Sequence, residues 1–184
     1  MIECKLNNDM LAILKSMVDS QLVSFELDDD KVAINRTFGV IRINASSNSI
    51  DVYNEVHDVE YFGTHEDISY FTCKTVDSDD VFRGYCEQNP VKKINVNEKI
   101  LGVQIVSDRI SISSKNYYVE FDRAIIIKTI SCCFIISREW HFMETMLLTC
   151  NKSIDEIIPV QNVINHWNND GELKVDIKRI ITDL

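Results

Sequence analysis

Alternation of apolar and polar side chains is the strongest signal in this chain, and it is densest over residues 100–149. There Val103, Ile105, Ile110, Ile112, Val119, Phe121, Ile125, Ile127, Phe134, Ile136, Phe142, Met146 and Leu148 recur mostly at every second position. A period of two is that of a pleated strand with one buried face, so the stretch predicts consecutive β-strands with turns at Ser107-Asp108 and near Ser114-Lys115-Asn116.

A different period opens the chain. Met10, Leu11, Ile13, Leu14, Met17 and Val18 form one apolar stripe at helical spacing, with Asn7 or Asn8 placed to cap the first free amides. An amphipathic helix over residues 8–19, lying on a sheet, is expected. Residues 23–27 and 31–35 then predict a hairpin around Asp28-Asp29-Asp30, and residues 38–43 a further strand. Ala45 to Ser49 reads as a polar turn, residues 50–53 and 68–73 as strands, and residues 76–90 as a long loop. Toward the C-terminus a helical turn at residues 154–158 and a short helix at residues 160–167 precede the stop signal Asn168-Asn169-Asp170-Gly171. Leu173, Val175, Ile177, Ile180 and Ile181 fit a closing strand.

These elements add up to an α+β protein, predominantly antiparallel β, sandwich-like or barrel-like, with an N-terminal amphipathic helix and a short C-terminal one. The 184 residues suit a single compact domain, 1–184. The hairpin pattern at residues 23–34 resembles residues 103–112, which raises a pseudo-repeat of halves 20–75 and 100–150.

Charge changes the picture more than overall composition does. Residues 1–90 carry 17 Asp and Glu against 7 Lys and Arg, whereas residues 91–184 carry 12 of each. The formal charge of −10 therefore resides in the first half, most of it in residues 44–90, where 10 acids face only Lys74 and Arg83. Such a surface repels nucleic-acid phosphates and anionic lipid heads and draws basic partners. The partner-binding candidates are Glu60, Glu66 and Asp67, together with Asp77, Asp79, Asp80, Phe82 and Tyr85 of the long loop. An acidic face also serves solubility alone.

Chemistry-bearing motifs are sparse. His57-Asp58-Val59-Glu60 and His65-Glu66-Asp67 make His57 and His65 the candidates for a metal, although their spacing matches no established ligand pattern. The triple aspartate lacks the central Gly and distant Glu of a calcium loop. Within Arg138-Glu139-Trp140-His141-Phe142-Met143-Glu144, a regular strand sets His141 and Met143 on one side and Phe142 and Glu144 on the other, which splits the His141–Glu144 pair across the sheet. Cys132-Cys133 is expected inside a strand, its thiols on opposite faces, with neither a helix start nor a cation to activate them. His166 beside Trp167 suits a helix-terminal cation. Glycine-rich phosphate loops, nucleophile elbows and paired-histidine zinc motifs are absent from the five-glycine sequence, and no cofactor is implied.

The six cysteines form no Cys-x-x-Cys pair, and no basic-then-apolar leader or spanning-length apolar run is present. A cytoplasmic location with free thiols is expected. The leading functional expectation is a non-enzymatic acidic protein that binds, and inhibits, a basic protein partner, as immunity proteins and nucleic-acid mimics of similar composition do. The alternatives are a small-ligand or metal-dependent enzyme on a β-barrel, and a structural subunit of an oligomer such as a homodimer.

Overall fold

The structure is a computed structural model that describes residues 2–28, 31–37, 39–51, 65–76, 92–112, 117–138, 146–168 and 175–184. Its dominant element is β6 (Lys92–Ile112), a 21-residue strand that every other part of the sheet is built on. Its first half, Lys92 to Lys99, pairs with β2 (Gln21–Asp28), and its second half pairs with β7 (Tyr117–Thr129) on one edge and β10 (Val175–Asp183) on the other.

Two irregularities let one strand serve both halves. Register shifts lie opposite Leu22/Ser24 and between Ile100 and Gly102, and Asn97 takes the left-handed conformation at φ 59°. An extra residue bends a strand and tightens its twist, so β6 turns between residues 97 and 102 while its pairing continues.

From β2 the sheet runs outward through β3 (Lys31–Arg36) and β4 (Gly39–Asp51) to β5 (His65–Val76). From β7 it runs through β8 (Cys133–Arg138) to β9 (Met146–Cys150), while β1 (Ile2–Cys4) lies parallel to the start of β7. The tight β3–β4 connection closes at Gly39, whose φ of 104° favours a residue without a Cβ. The result is a mostly antiparallel, open sheet with three short helices among the described residues. Its hydrogen-bonded path ends at β5 and β9 and does not close on itself as a barrel would.

The inward faces of the two halves share one core. Phe25, Ile34, Ile41, Ile43 and Phe71 from one half meet Val103, Ile105, Ile125, Ile127 and Phe134 from the other, and the Phe25 and Phe134 rings stand 5.0 Å apart. Helix α1 (Asn8–Lys15) adds the fully buried Leu14, and the turn after it adds Met17. Asn7 caps α1 by accepting from the Met10 amide at 2.9 Å. On the outward face of β6–β8, α2 (Ile154–Ile157) sets Ile154 against Val106, Ala124, Ile126 and Ile135. Helix α3 (Val160–Asn168) follows and contributes the buried Val163.

Two turns read from the sequence are strand instead. Ser107-Asp108 lies inside β6, where Asp108 is fully buried among ionic partners rather than exposed at a bend. Ala45 to Ser49 lies inside β4, paired with residues 69–71 and their neighbours on β5. The segments compared as a repeat therefore differ in form: residues 23–34 make the β2–β3 hairpin, and residues 103–112 are one strand. The turn at residues 114–116 lies outside the described residues, and no helix among those described is long and apolar enough to cross a membrane.

Candidate functional site

Strands β4 and β5 pair over twelve residues, from Val40 opposite Val76 to Asp51 opposite His65. Strand β3 accompanies β4 only from Gly39 to Asn44. Beyond Asn44 the pair continues as a two-stranded ribbon, residues 45–51 against 65–71, with no further strand on either edge among the described residues. Seven paired steps at ~3.4 Å each carry it roughly 24 Å past the end of β3.

The chemistry of this ribbon is one-sided. Its fourteen paired residues carry three acids (Asp51, Glu66 and Asp67) and neither Lys nor Arg, and the sequence that joins the two strands, residues 52–64, adds Glu55, Asp58 and Glu60. The register sets Ile50 opposite Glu66 and Ser49 opposite Asp67, which gathers Asp51, Glu66 and Asp67 at the far end. Glu60 and His57 belong to the connection at residues 52–64, outside the described residues, as do Asp77, Asp79, Asp80, Phe82 and Tyr85 at residues 77–91. The two acidic connections leave β5 from opposite ends. Eleven strand steps between His65 and Val76 put their points of departure roughly 37 Å apart, so the sequence candidates start as two groups rather than one.

Elsewhere the acids of the first half meet bases of the second. Asp19 pairs with Lys99 at 2.7 Å and Glu26 with Lys93 at 3.3 Å, because the β2–β6 register sets Gln21 beside Lys99 and Glu26 beside Lys93. The lopsided charge of the sequence is thus partly cancelled at this seam.

Two further ionic groups occupy opposite faces of β6 and β7. On the outward face, Asp108 accepts from Arg179 Nε at 2.7 Å and Nη2 at 2.9 Å, and from Arg123 Nε at 3.0 Å. Arg179 continues to Asp155 and to the Ile158 carbonyl, fastening β10 to the end of α2. Arg123 is the extra residue at the register shift of β7, and its guanidinium lies 4.4 Å over the Phe121 ring. Burial alone would raise the Asp108 carboxyl, but the hydrogen bonds and charge of the two arginines outweigh it and hold the carboxyl below its usual range.

On the inward face, Glu120 receives Lys5 Nζ at 2.6 Å and Arg109 at 2.6 Å. Asp122 accepts from the Leu6 amide at 2.7 Å and the Ser107 hydroxyl at 2.7 Å. Burial raises the Asp122 carboxyl despite those bonds, whereas for Glu120 the Lys5 and Arg109 bonds overcome burial and lower it. Both groups tie separate chain segments to the sheet, and every charged member already has a partner within the protein. They read as structural clasps rather than as acid–base pairs waiting for substrate.

Among the described residues no group of three or more His, Cys, Asp or Glu is placed to hold a metal ion. His57 and His141 lie outside those residues, and His65 has a described backbone position only. Cys132 precedes β8 rather than lying within it, and Cys133 begins the strand. Comparison of the chain with protein-family models, with curated proteins and with solved structures finds no match.

Proposed function

We propose that this chain is a non-enzymatic interaction protein whose acidic β4–β5 ribbon docks on a basic surface of a protein partner and blocks it. The supporting observation is the ribbon itself: a paired extension past β3 whose fourteen residues carry Asp51, Glu66 and Asp67 and no Lys or Arg. Strand pairing sets the acidic positions of the arm in register, and clustered charge of one sign accelerates encounter with its opposite. Neutralisation at the β2–β6 seam supports the same reading, since it leaves the ribbon and the connection at residues 77–91 as the acid-rich parts. In this reading the two sheet halves, folded face to face over one core like a sandwich, are the platform that holds the arm.

Capture of partners by the immobilised full-length chain tests the proposal. Raising salt from ~0.1 M to ~1 M shortens the screening length from about 10 to about 3 Å and should release most of the captured protein. The triple variant Asp51→Lys, Glu66→Lys, Asp67→Lys should lose capture, while Asp176→Lys on β10 should retain it. Capture that is indifferent to salt, or that survives the triple reversal together with reversal of Asp77, Asp79 and Asp80, overturns the reading.

A further inference from the structure

A cluster of sulfur and polar side chains lies far along the sheet from the ribbon, where β7, β8 and β9 end together. The chain leaves β7 at Thr129 and re-enters β8 at Cys133 through a turn held by three bonds. The Thr129 amide and hydroxyl donate to the Cys132 carbonyl at 2.8 and 3.0 Å, and the Cys132 amide donates to Thr129 Oγ1 at 3.2 Å. Cys132 is thereby fixed at the mouth of the β8–β9 hairpin.

Asn151, just past β9, closes the other side in a left-handed conformation at φ 55°. Its amide donates to the Cys133 carbonyl at 2.9 Å, and its Oδ1 accepts from the Cys133 amide at 3.1 Å. Because a backbone N–H can only be met by the side-chain oxygen, the Asn151 NH2 group is turned to the Cys132 sulfur, 3.8 Å away. The Ser131 hydroxyl stands 3.5 Å from the same sulfur, sharing its single proton with Glu98.

Strand alternation decides which second thiol joins this group. Cys150 is opposite Phe134 in a pair whose backbone bonds run through the flanking Cys133 and Asn151. In that type of pair the side chains stand close, and the residue two before Phe134, Cys132, is the diagonal neighbour of Cys150 on the same face. Cys132 packs against the same inward core to which Phe134 belongs, which keeps it on that face. Cys133 points the other way, into the cluster around Ala124, Ile126 and Ile154.

We propose that Cys132 and Cys150 form a dithiol site that reacts with low-molecular-weight disulfides such as oxidised glutathione, Cys132 attacking and Cys150 resolving. The Cys132 thiolate displaces one glutathione thiolate and becomes a mixed disulfide. Cys150 gives its proton to solvent, and its sulfur attacks the Cys132 sulfur, expelling the second glutathione. Two protein thiols are oxidised to one disulfide, and one glutathione disulfide is reduced to two thiols.

The division of roles follows from the surroundings. Hydrogen bonds from Ser131, Cys150 and Asn151 lower the Cys132 thiol against the opposing charge of Glu98. Partial burial and the bond to Cys132 raise that of Cys150, which is therefore the proton donor of the pair. Both thiols reach solvent, Cys150 exposed and Cys132 half-exposed. By contrast Cys73 is buried, with its thiol pushed up to about 12 by desolvation.

The test treats the reduced full-length chain with oxidised glutathione at neutral pH and maps the products by peptide mass spectrometry. The intact chain and Cys133→Ser should yield a Cys132–Cys150 linked peptide with no retained glutathione. Cys150→Ser should stop at a glutathione adduct on Cys132, and Cys132→Ser should lose both products, with circular dichroism unchanged in each variant. A persistent Cys132 adduct in the intact chain, first reaction at Cys133, or no reaction at Cys132 overturns the proposal.

Discussion

Replacing Asp108 by asparagine removes one buried charge and almost no volume, which isolates the ionic contribution of the β6–β7–β10 junction. The carboxylate accepts three bonds from two guanidiniums, two from Arg179 and one from Arg123. Charge-assisted bonds contribute ~1.5–3 kcal/mol each, and taking the carboxylate out of water costs several kcal/mol in return. The net value of the clasp is therefore small compared with the cost of breaking it on one side.

Asparagine keeps one acceptor oxygen but turns an NH2 group against an arginine, and it leaves the buried Arg123 without its counter-charge. Arg123 Nη2 already has no hydrogen-bond partner among the described residues, so it has little to fall back on. Loss of one member of a buried pair costs ~3–5 kcal/mol, a substantial part of the ~5–15 kcal/mol that stabilises an ordinary domain. In a chain of this length that corresponds to roughly 6–20 °C in Tm. Urea unfolding at neutral pH, followed by circular dichroism, measures it.

The pH dependence gives a second readout. A carboxyl lowered in the folded state contributes stability that is complete above its unfolded value and drains away as pH falls through the folded one. Wild-type stability should decline in acid below the usual carboxylate range, and Asp108→Asn should lack that component. A loss below ~1 kcal/mol for Asp108→Asn, where stranding a buried guanidinium demands several times that, would refute the account. The combined Asp108→Asn, Arg179→Met variant should lose less than the sum of the single changes, because its members share one network.

Two other substitutions probe the core and a helix start. Phe25→Ala empties the contact with Phe134 that joins the two sheet halves, and urea unfolding should show a loss of ~3–5 kcal/mol, at the upper end of core truncations. Asn7→Ala removes the cap from the Met10 amide and should cost about 1 kcal/mol, read as a Tm lower by ~2–4 °C in a thermal scan.

Local pattern was enough to reveal the class of the protein, and its failures have a common cause. Alternation at Val103, Ile105, Ile125, Ile127, Phe134 and Ile136 marks the inward face of the sheet because strand side chains repeat with a period of two, whatever the strand's neighbours. Turn signals are weaker, because Asp, Ser and Asn have no intrinsic bar to extended backbone. Ser107-Asp108 and Ala45 to Ser49 accordingly became strand when partners supplied the missing bonds: Asp122 for Ser107, two arginines for Asp108, and β5 for the β4 segment.

The charge asymmetry was also legible along the chain, yet its distribution in space was not. Pairings between residues far apart in sequence, Glu26 with Lys93 and Asp19 with Lys99 by way of the β2–β6 register or Asp108 with Arg179 by way of β10, cancel some carboxylates that no local pattern would mark as paired. The neighbourhood of Cys132 and Cys150 has the same origin. Periodicity tells a residue which way it faces, but register across strands assigns the residue it meets, and register is settled by the core and the bulges of β6 acting on the whole chain at once.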